Sequence, residues 1–259
     1  MSIITLTTDF GLKDHFVGVM KGVILGINPS VSLVDLAHDL PPQDLPQAAF
    51  VLLSSYPYFS NGTVHLGVVD PGVGGARAMV AIRAENQIFV GPDNGLFSYV
   101  LDRVPGYEAR YIENPALMLP GISRTFHGRD CMAPAAAHLS RGFAFEEIGS
   151  SAADLVRLPS LNPEVESDLV KGRVIYIDRF GNLITNIPNE ECEGRDIIIE
   201  AGPLTLEGLA ESYGSVKPGE YLALTGSSGF MEIARNMNSA AQSSKIVSGT
   251  PVTVRRSKR

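Results

Sequence analysis

The sequence predicts an α/β N-terminal domain with a mostly parallel central sheet, followed by a smaller all-β barrel or sandwich. Three observations predict it. Strand-like and helix-like stretches alternate through the first half; a polar stretch with two prolines, "LPSLNPEVES", interrupts the pattern near residue 160; and beyond it come short β-rich runs broken by glycine. The reading is therefore two domains, residues 1–160 and 170–259.

The elements follow in order. "SIITLTT" (2–8) reads as a strand, and in "DHFVGVMKGVILGIN" the residues Phe16, Met20, Val23, Ile24 and Ile27 fall on one helical face. "VSLVDLA" (31–37) is a second strand, "LPQAAFVLLSSY" (45–56) a second helix and "TVHLGVVD" (63–70) a third strand. Strands are also expected at 78–84, 87–90 and 108–112, and a helix over "HGRDCMAPAAAHLSRG" (127–142). The runs "KGRVIYIDRFGNLITNI", "GRDIIIEAGPLTLEG", "GEYLALTGSSGFMEIA" and "TPVTVRR" supply the β-rich second domain.

Composition narrows the function. The 259 residues are 44% hydrophobic and 19% charged, which is globular, and no apolar run is long enough to span a bilayer. The start "MSIITLTTDFG" has no basic leader, so a cytoplasmic protein is expected. Net charge is −7 and the only basic run is the terminal "RRSKR", read as a solvated end; nucleic acid and membrane are not expected partners. Cys131 and Cys192 are the only cysteines and are expected as free thiols. There is no tryptophan, so a flat ring must be met by Phe, Tyr or His.

Candidate chemistry begins at the strand ends. Asp9, Asp35 and Asp70 each close or nearly close a predicted strand, and in an open α/β sheet the ligand crevice lies beyond the carboxyl ends of the strands. Each aspartate could instead cap or brace the next element, Asp35 most of all. Asp14, at the start of the first helix, suits either its positive end or a ligand amine. The stretch "GVVDPGVGGARA" (67–78) ends a buried strand on Asp70, builds a glycine loop and then places Arg77. It lacks the Lys-Ser/Thr of a P-loop and the spacing of a dinucleotide fingerprint, so a phosphate cradle is a weak reading. His127 opens the next predicted helix, a position that suits a neutral imidazole acting as base or acceptor. Cys131 is a conceivable nucleophile, although "CMAPAAAH" reads as a buried small-residue face. In the second domain, "IDRFGNLITNI" and "TGSSGFMEIARNMNSAA" are Asx-rich or Gly/Ser loops that could take a planar heterocycle against Phe180, Tyr213 or Phe230. No His/Asp/Glu set at metal-ligand spacing stands out.

Seven collinear segments carry a resemblance: "TLTTDFGLKDHFVGVMKG", "VDLAHDLPPQD", "LGVVDPGVGGARA", "VGPDNGLFSYV", "TFHGRDCMAPAAAHL", "IDRFGNLITNI" and "GSSGFMEIARNMNSAAQ". In this order they resemble the S-adenosyl-L-methionine (SAM) hydrolases, also called SAM hydroxide adenosyltransferases, relatives of the SAM-dependent fluorinase and chlorinase. The resemblance implies SN2-type attack of activated water at ribose C5′ of SAM, giving adenosine and L-methionine, with no metal or other cofactor. It implies Asp70, Arg77 and His127 as the catalytic set, Asp9 at the ribose hydroxyls, and Asp14 and Asp178 at the methionine ammonium. Phe180 and Asn182 would lie at the adenine, Tyr213 would form an aromatic wall, and Ser227, Ser228 and Arg235 would belong to a loop meeting adenine and the methionine carboxylate. It further implies a homotrimer with sites at subunit interfaces.

The departures from the halide-using relatives point the same way. Asp70 and Val73 stand where fluorinases carry Tyr and Thr, His127 where they carry Tyr, and Gly128 where they carry a hydroxyl residue. "AENQIFVGPDNG" lacks their insertion, and Gln43 aligns with a tryptophan of some relatives. Phe16 for serine and Ser228 for arginine alter the surroundings expected for methionine. Three alternatives stay open at this level: a SAM- or adenosine-binding regulator, a halogenase and a metal-dependent hydrolase.

Overall fold

The computed structural model describes residues 2–193 and 196–256, in two compact units, Met1–Ser160 and Leu161–Arg259. The first unit runs β1 (Ile3–Thr8), α1 (Phe16–Ile27), β2 (Ser32–Ala37), α2 (Leu45–Ser55), β3 (Val64–Val68), β4 (Met79–Ala84), β5 (Gln87–Pro92), α3 (Ser98–Leu101) and β6 (Tyr107–Tyr111). A π-helical turn, Gly128–Met132, then leads directly into α4 (Ala133–Ser140).

The sheet order is β2-β1-β3-β5-β4-β6. β1 pairs in parallel with β2 and β3, and β3 with β5, whereas β4 is antiparallel to both β5 and β6. The sheet is therefore mixed, with its parallel part in the first half as expected. The reversal comes from a two-residue hairpin at Glu85 and Asn86, both at positive φ (47° and 63°), a backbone shape that asparagine tolerates well. One consequence positions the site. Because β4 runs backwards, its first residue lies at the same sheet edge where β3 ends, so the loop between Val68 and Met79 leaves and rejoins that edge.

The helices pack as their periodicity dictates. Val17, Met20 and Ile24 form the buried face of α1, and Ala133, Ala135, Ala136 and Ala137 of α4 share a core with Met20 and Ile24. Small side chains on α4 let the two helices approach closely. Asp44 caps α2, accepting from Gln47 N at 3.0 Å.

The second unit contains β7 (Glu164–Val165), β8 (Leu169–Ile177), β9 (Leu183–Pro188), β10 (Ile197–Ala201), β11 (Leu204–Glu207), β12 (Tyr221–Thr225), β13 (Phe230–Arg235), α5 (Ala240–Ser244) and β14 (Pro251–Arg256). Its antiparallel sheet runs β11-β10-β14-β8-β9-β13-β12, with β7 beside β8, and the terminal strands β11 and β12 touch, giving a nearly closed barrel. Register shifts in β8 and β13 supply the bending that closure needs. The terminal basic run is not simply a solvated end. Arg255 and Arg256 belong to β14, pairing with Glu200 and Glu191, while residues 257–259 of that run lie outside the described residues.

Candidate active site

Asp70, Arg77 and His127 come together at the edge where β3 ends. Arg77 Nε donates to both Asp70 oxygens, at 2.9 and 3.0 Å, and Arg77 Nη2 donates to Asp70 Oδ2 as well. The same Nη2 lies 3.0 Å from His127 Nδ1. A guanidinium only donates, so Nδ1 is the acceptor, and the compatible tautomer carries its hydrogen on Nε2. The side chains of Arg77 and Asp70 are only 11% and 6% exposed, so this is a desolvated, oriented pair rather than a surface contact.

The glycines of this loop have specific duties. A Cβ on Gly74, which sits at φ +76°, would lie 2.3 Å from the Arg124 carbonyl oxygen, so the Asp70–Arg77 loop packs backbone to backbone against the segment leading to His127. His127 stands just before the π-helical turn rather than at the α-helix start expected from sequence, and Gly128 brings that turn against Val68 at the end of β3. Single π turns recur at functional sites because they re-aim side chains. The neighbouring Arg129 and Asp130 bind each other through two hydrogen bonds, and Asp130 also accepts from Ser123 N at 2.9 Å, which fixes the segment before the turn. Cys131 is fully buried and its thiol is pushed up to about 11, chiefly by burial, which removes it as a nucleophile.

The other aspartates of this unit separate by role. Asp9 follows β1, is partly exposed and accepts from Gln43 N at 2.8 Å. Asp14 lies in an exposed bend before α1, whose N-cap His15 makes no side-chain capping bond. Asp35 sits within β2 rather than at a ligand-facing end and pairs with Lys21 at 2.6 Å, the structural role weighed for it from sequence. Exposed Phe16 packs against Phe10 and Phe126, with ring centroids 5.7 and 5.4 Å apart.

In the second unit, the loops after β8, β12 and β13 surround an open cavity of about 640 Å³. Asp178, Phe180, Asn182, Tyr213, Ser227 and Arg235 line it, bringing six of the expected residues to one place. Asp178 shapes its own loop: Oδ1 accepts from Phe180 N and Asn182 N, and Oδ2 from Asn182 Nδ2 at 2.9 Å. Gly181 at φ +83° closes this turn, where a Cβ would lie 2.0 Å from Ser239 Oγ. Phe180 is 77% and Tyr213 45% exposed, two aromatic faces open to a ligand. Phe230 is instead buried, and Ser228 is not among the lining residues. Arg235 ends β13 rather than belonging to a loop; its Nε donates to Gly219 O at 2.7 Å and its Nη1 to Ser243 Oγ at 2.6 Å.

Sequence reasoning missed Glu232, Met237, Asn238 and Ser239, which also line the cavity. Glu232 is nearly buried and accepts from Tyr213 OH at 2.6 Å. Burial raises its carboxyl above the usual range, the Asp178 charge adds to this and the Tyr213 hydrogen bond opposes it. Burial, followed by Glu232, likewise raises the Tyr213 phenol. A charged residue inside an alternating strand gave no signal beyond a solvated face. Asn186 and Asn236 are structural, donating to Leu161 O and Val216 O. Among the described residues, no group of three or more His, Cys, Asp or Glu is placed to hold a metal ion.

Comparisons with known proteins match both units of the chain. Residues 4–149 match the model of the SAM hydroxide adenosyltransferase N-terminal domain, and residues 172–253 match that of its C-terminal domain. An (R)-S-adenosyl-L-methionine hydrolase of Thermus thermophilus is 41% identical over 254 residues, covering 95% of this chain and 96% of that protein. One from Methanocaldococcus jannaschii is 35% identical, covering 93% and 91%. A fluorinase from Nocardia brasiliensis is more distant, 29% identical across 98% of this chain and 96% of that one. The crystal structure of an uncharacterized conserved protein from Thermotoga maritima superposes with a TM-score of 0.92 at 38% identity, covering 98% of this chain and all of that one.

Proposed function

The chain belongs to the SAM hydroxide adenosyltransferase family, and from that premise we propose that it hydrolyses SAM to adenosine and L-methionine. The observation that carries the mechanism is the single guanidinium of Arg77, which joins a buried carboxylate to an imidazole at the end of β3. In the reaction, a water oxygen bonds to ribose C5′ as the C5′–S bond breaks. The bonding pair goes to sulfur, and methionine leaves as a neutral thioether, so no acid is needed at the leaving group. Asp70, oriented by Arg77, accepts a hydrogen bond from the attacking water and takes its proton as the C5′–O bond forms, and His127 holds that water by donating from Nε2–H. Arg77 stabilises the hydroxide-like charge that develops, in a site already arranged for it. No step requires a metal.

Asp9 is assigned to the ribose hydroxyls, and Asp14 with Asp178 to the substrate ammonium. Phe180, Asn182 and Tyr213 are assigned to adenine, with Ser227, Ser228 and Arg235 nearby. A homotrimer, with each site completed by a neighbouring subunit, belongs to the same proposal, as does a cytoplasmic location. Among the described residues, no helix is long and apolar enough to cross a membrane. The test is incubation with SAM in 18O-labelled water containing chelator, with products read by mass spectrometry. Labelled adenosine plus methionine is expected. Unchanged SAM despite binding would make the protein a SAM-binding regulator, and activity only after metal addition would overturn the metal-free mechanism. Formation of 5′-chloro-5′-deoxyadenosine in chloride would make it a halogenase.

A further inference from the structure

We propose that His38 is a positioning residue for substrate binding, holding in place the loop that presents Asp9 to the ribose. The inference rests on the placement of Asp9 proposed above. His38 follows β2, is 4% exposed and forms the middle of a polar chain that crosses three elements. Its Nδ1 lies 2.8 Å from Oγ1 of Thr8, the fully buried last residue of β1 and the neighbour of Asp9. Thr8 Oγ1 also accepts from Phe10 N at 3.3 Å, so its hydroxyl hydrogen is free to go to His38. On the other side, His38 Nε2 is 3.0 Å from Asp35 Oδ1, off the hydrogen-bond line, and Asp35 Oδ2 takes Lys21 Nζ of α1 at 2.6 Å.

The donors and acceptors run in one direction, from Phe10 N–H through the Thr8 hydroxyl to His38 Nδ1. Two further contacts clamp the same pair of loops. Gly11 N donates to His38 O at 2.7 Å, and Gln43 N donates to Asp9 Oδ2 at 2.8 Å. Gly11 and Gln43 both sit at positive φ, 65° and 66°, so the two loops hold uncommon backbone shapes where they meet. The imidazole is thus braced against α1 and β2 and bonded to the residue immediately before the ribose-binding carboxylate. Its loss should relax Asp9 without touching the Asp70–Arg77–His127 cluster.

The test compares full-length variants for affinity toward adenosine and 2′,3′-dideoxyadenosine, which differ only in the ribose hydroxyls. His38→Gln places its polar end near the Nε2 position and drops the Thr8 bond; His38→Asn places an amide near Nδ1 and keeps it. Thr8→Val removes the hydroxyl while preserving a β-branched shape. His38→Gln and Thr8→Val are expected to lower the preference for adenosine roughly tenfold and raise KM for SAM by a similar factor, with kcat near wild type. His38→Asn is expected to restore the preference. If Asp9→Ala abolishes the preference while His38→Gln and Thr8→Val keep it, His38 has no positioning role. If Asp9→Ala itself keeps the preference, the ribose assignment of Asp9 fails and this inference fails with it. Parallel loss of kcat and binding in Thr8→Val would also overturn it, by making the network a general structural brace.

Discussion

Replacing Arg77 with Met keeps an unbranched, largely apolar stem and removes the charge that joins the proposed catalytic cluster. All the donors given to Asp70 within that cluster come from Arg77, and the Asp70 side chain is 6% exposed. The variant therefore leaves a nearly buried carboxylate without its cation and His127 Nδ1 without its donor. Breaking a buried pair from one side costs about 3–5 kcal/mol. The carboxylate keeps a sliver of solvent access, so the lower end, about 3 kcal/mol, is expected. In a chain of this size each kcal/mol shifts Tm by about 2–4 °C, so the melting temperature should fall by about 6–12 °C. Turnover should fall about 10²–10³-fold, as when one preorganised charge-stabilising donor is removed, while KM for SAM stays within a few-fold. Calorimetry and chromatographic detection of adenosine measure the two effects. Adding Asp70→Asn should return part of the lost stability, since the stranded charge goes, but none of the rate. A kcat within tenfold of wild type would refute the role given to Arg77. A raised KM with unchanged kcat would make it a binding residue instead.

Three other perturbations have defined outcomes. His65 is fully buried between Thr5 Oγ1 and Gln87 Oε1 and is pushed down to about 4 by burial, which its Gln87 hydrogen bond partly opposes. The unfolded chain then takes up a proton near pH 6.5 that the native state refuses. Stability should be full above that pH and fall by up to about 3 kcal/mol as pH drops toward 4, and His65→Gln should flatten that slope in melting curves. Gly74→Ala would force a Cβ to within 2.3 Å of Arg124 O at a positive φ, so turnover should drop sharply with a destabilisation of about 1–3 kcal/mol, read by activity assay and denaturant titration. Tyr213→Phe takes the phenol hydrogen bond from Glu232 at the cavity wall. Calorimetric titration should show adenosine bound roughly tenfold more weakly, with kcat less affected.

Much of the first unit was legible because its signals are local. β-branched runs, a helical face on Phe16–Ile27 and turn residues after each strand define β1 to β3 within a residue or two. The direction of β4 was not read, although its cue was present: Asn86 in a two-residue loop is a hairpin signal, and a reversed strand makes the sheet mixed. The π turn at Gly128–Met132 was invisible, since its composition also suits an α-helix and only packing against Val68 distinguishes them. Arg255 and Arg256 read as a tail because charge dominates the composition there, while their ion-pair partners lie 55 and 65 residues away in sequence. Glu232 was overlooked for a related reason. Its burial depends on barrel closure and on Tyr213, neither of which shows in a window around the residue. Of the candidate site, the lining of the second-unit cavity came through best, since glycine, asparagine and exposed aromatics in loops have few structural uses in that combination.

The reversed β4 gives the segment between Val68 and Met79 the character of an exchangeable cassette. Its two ends are fixed by sheet pairing at one edge, so the scaffold specifies where the chain departs and returns but not what lies between. Closing such a span becomes harder only slowly as residues are added. A change of nucleophile, or of the groups that receive it, can therefore be written into this segment and the turn facing it while the sheet, the helices and the second-unit cavity keep their registers. For the engineer, the practical unit of redesign is the ten residues between those two anchors together with His127, grafted as one piece.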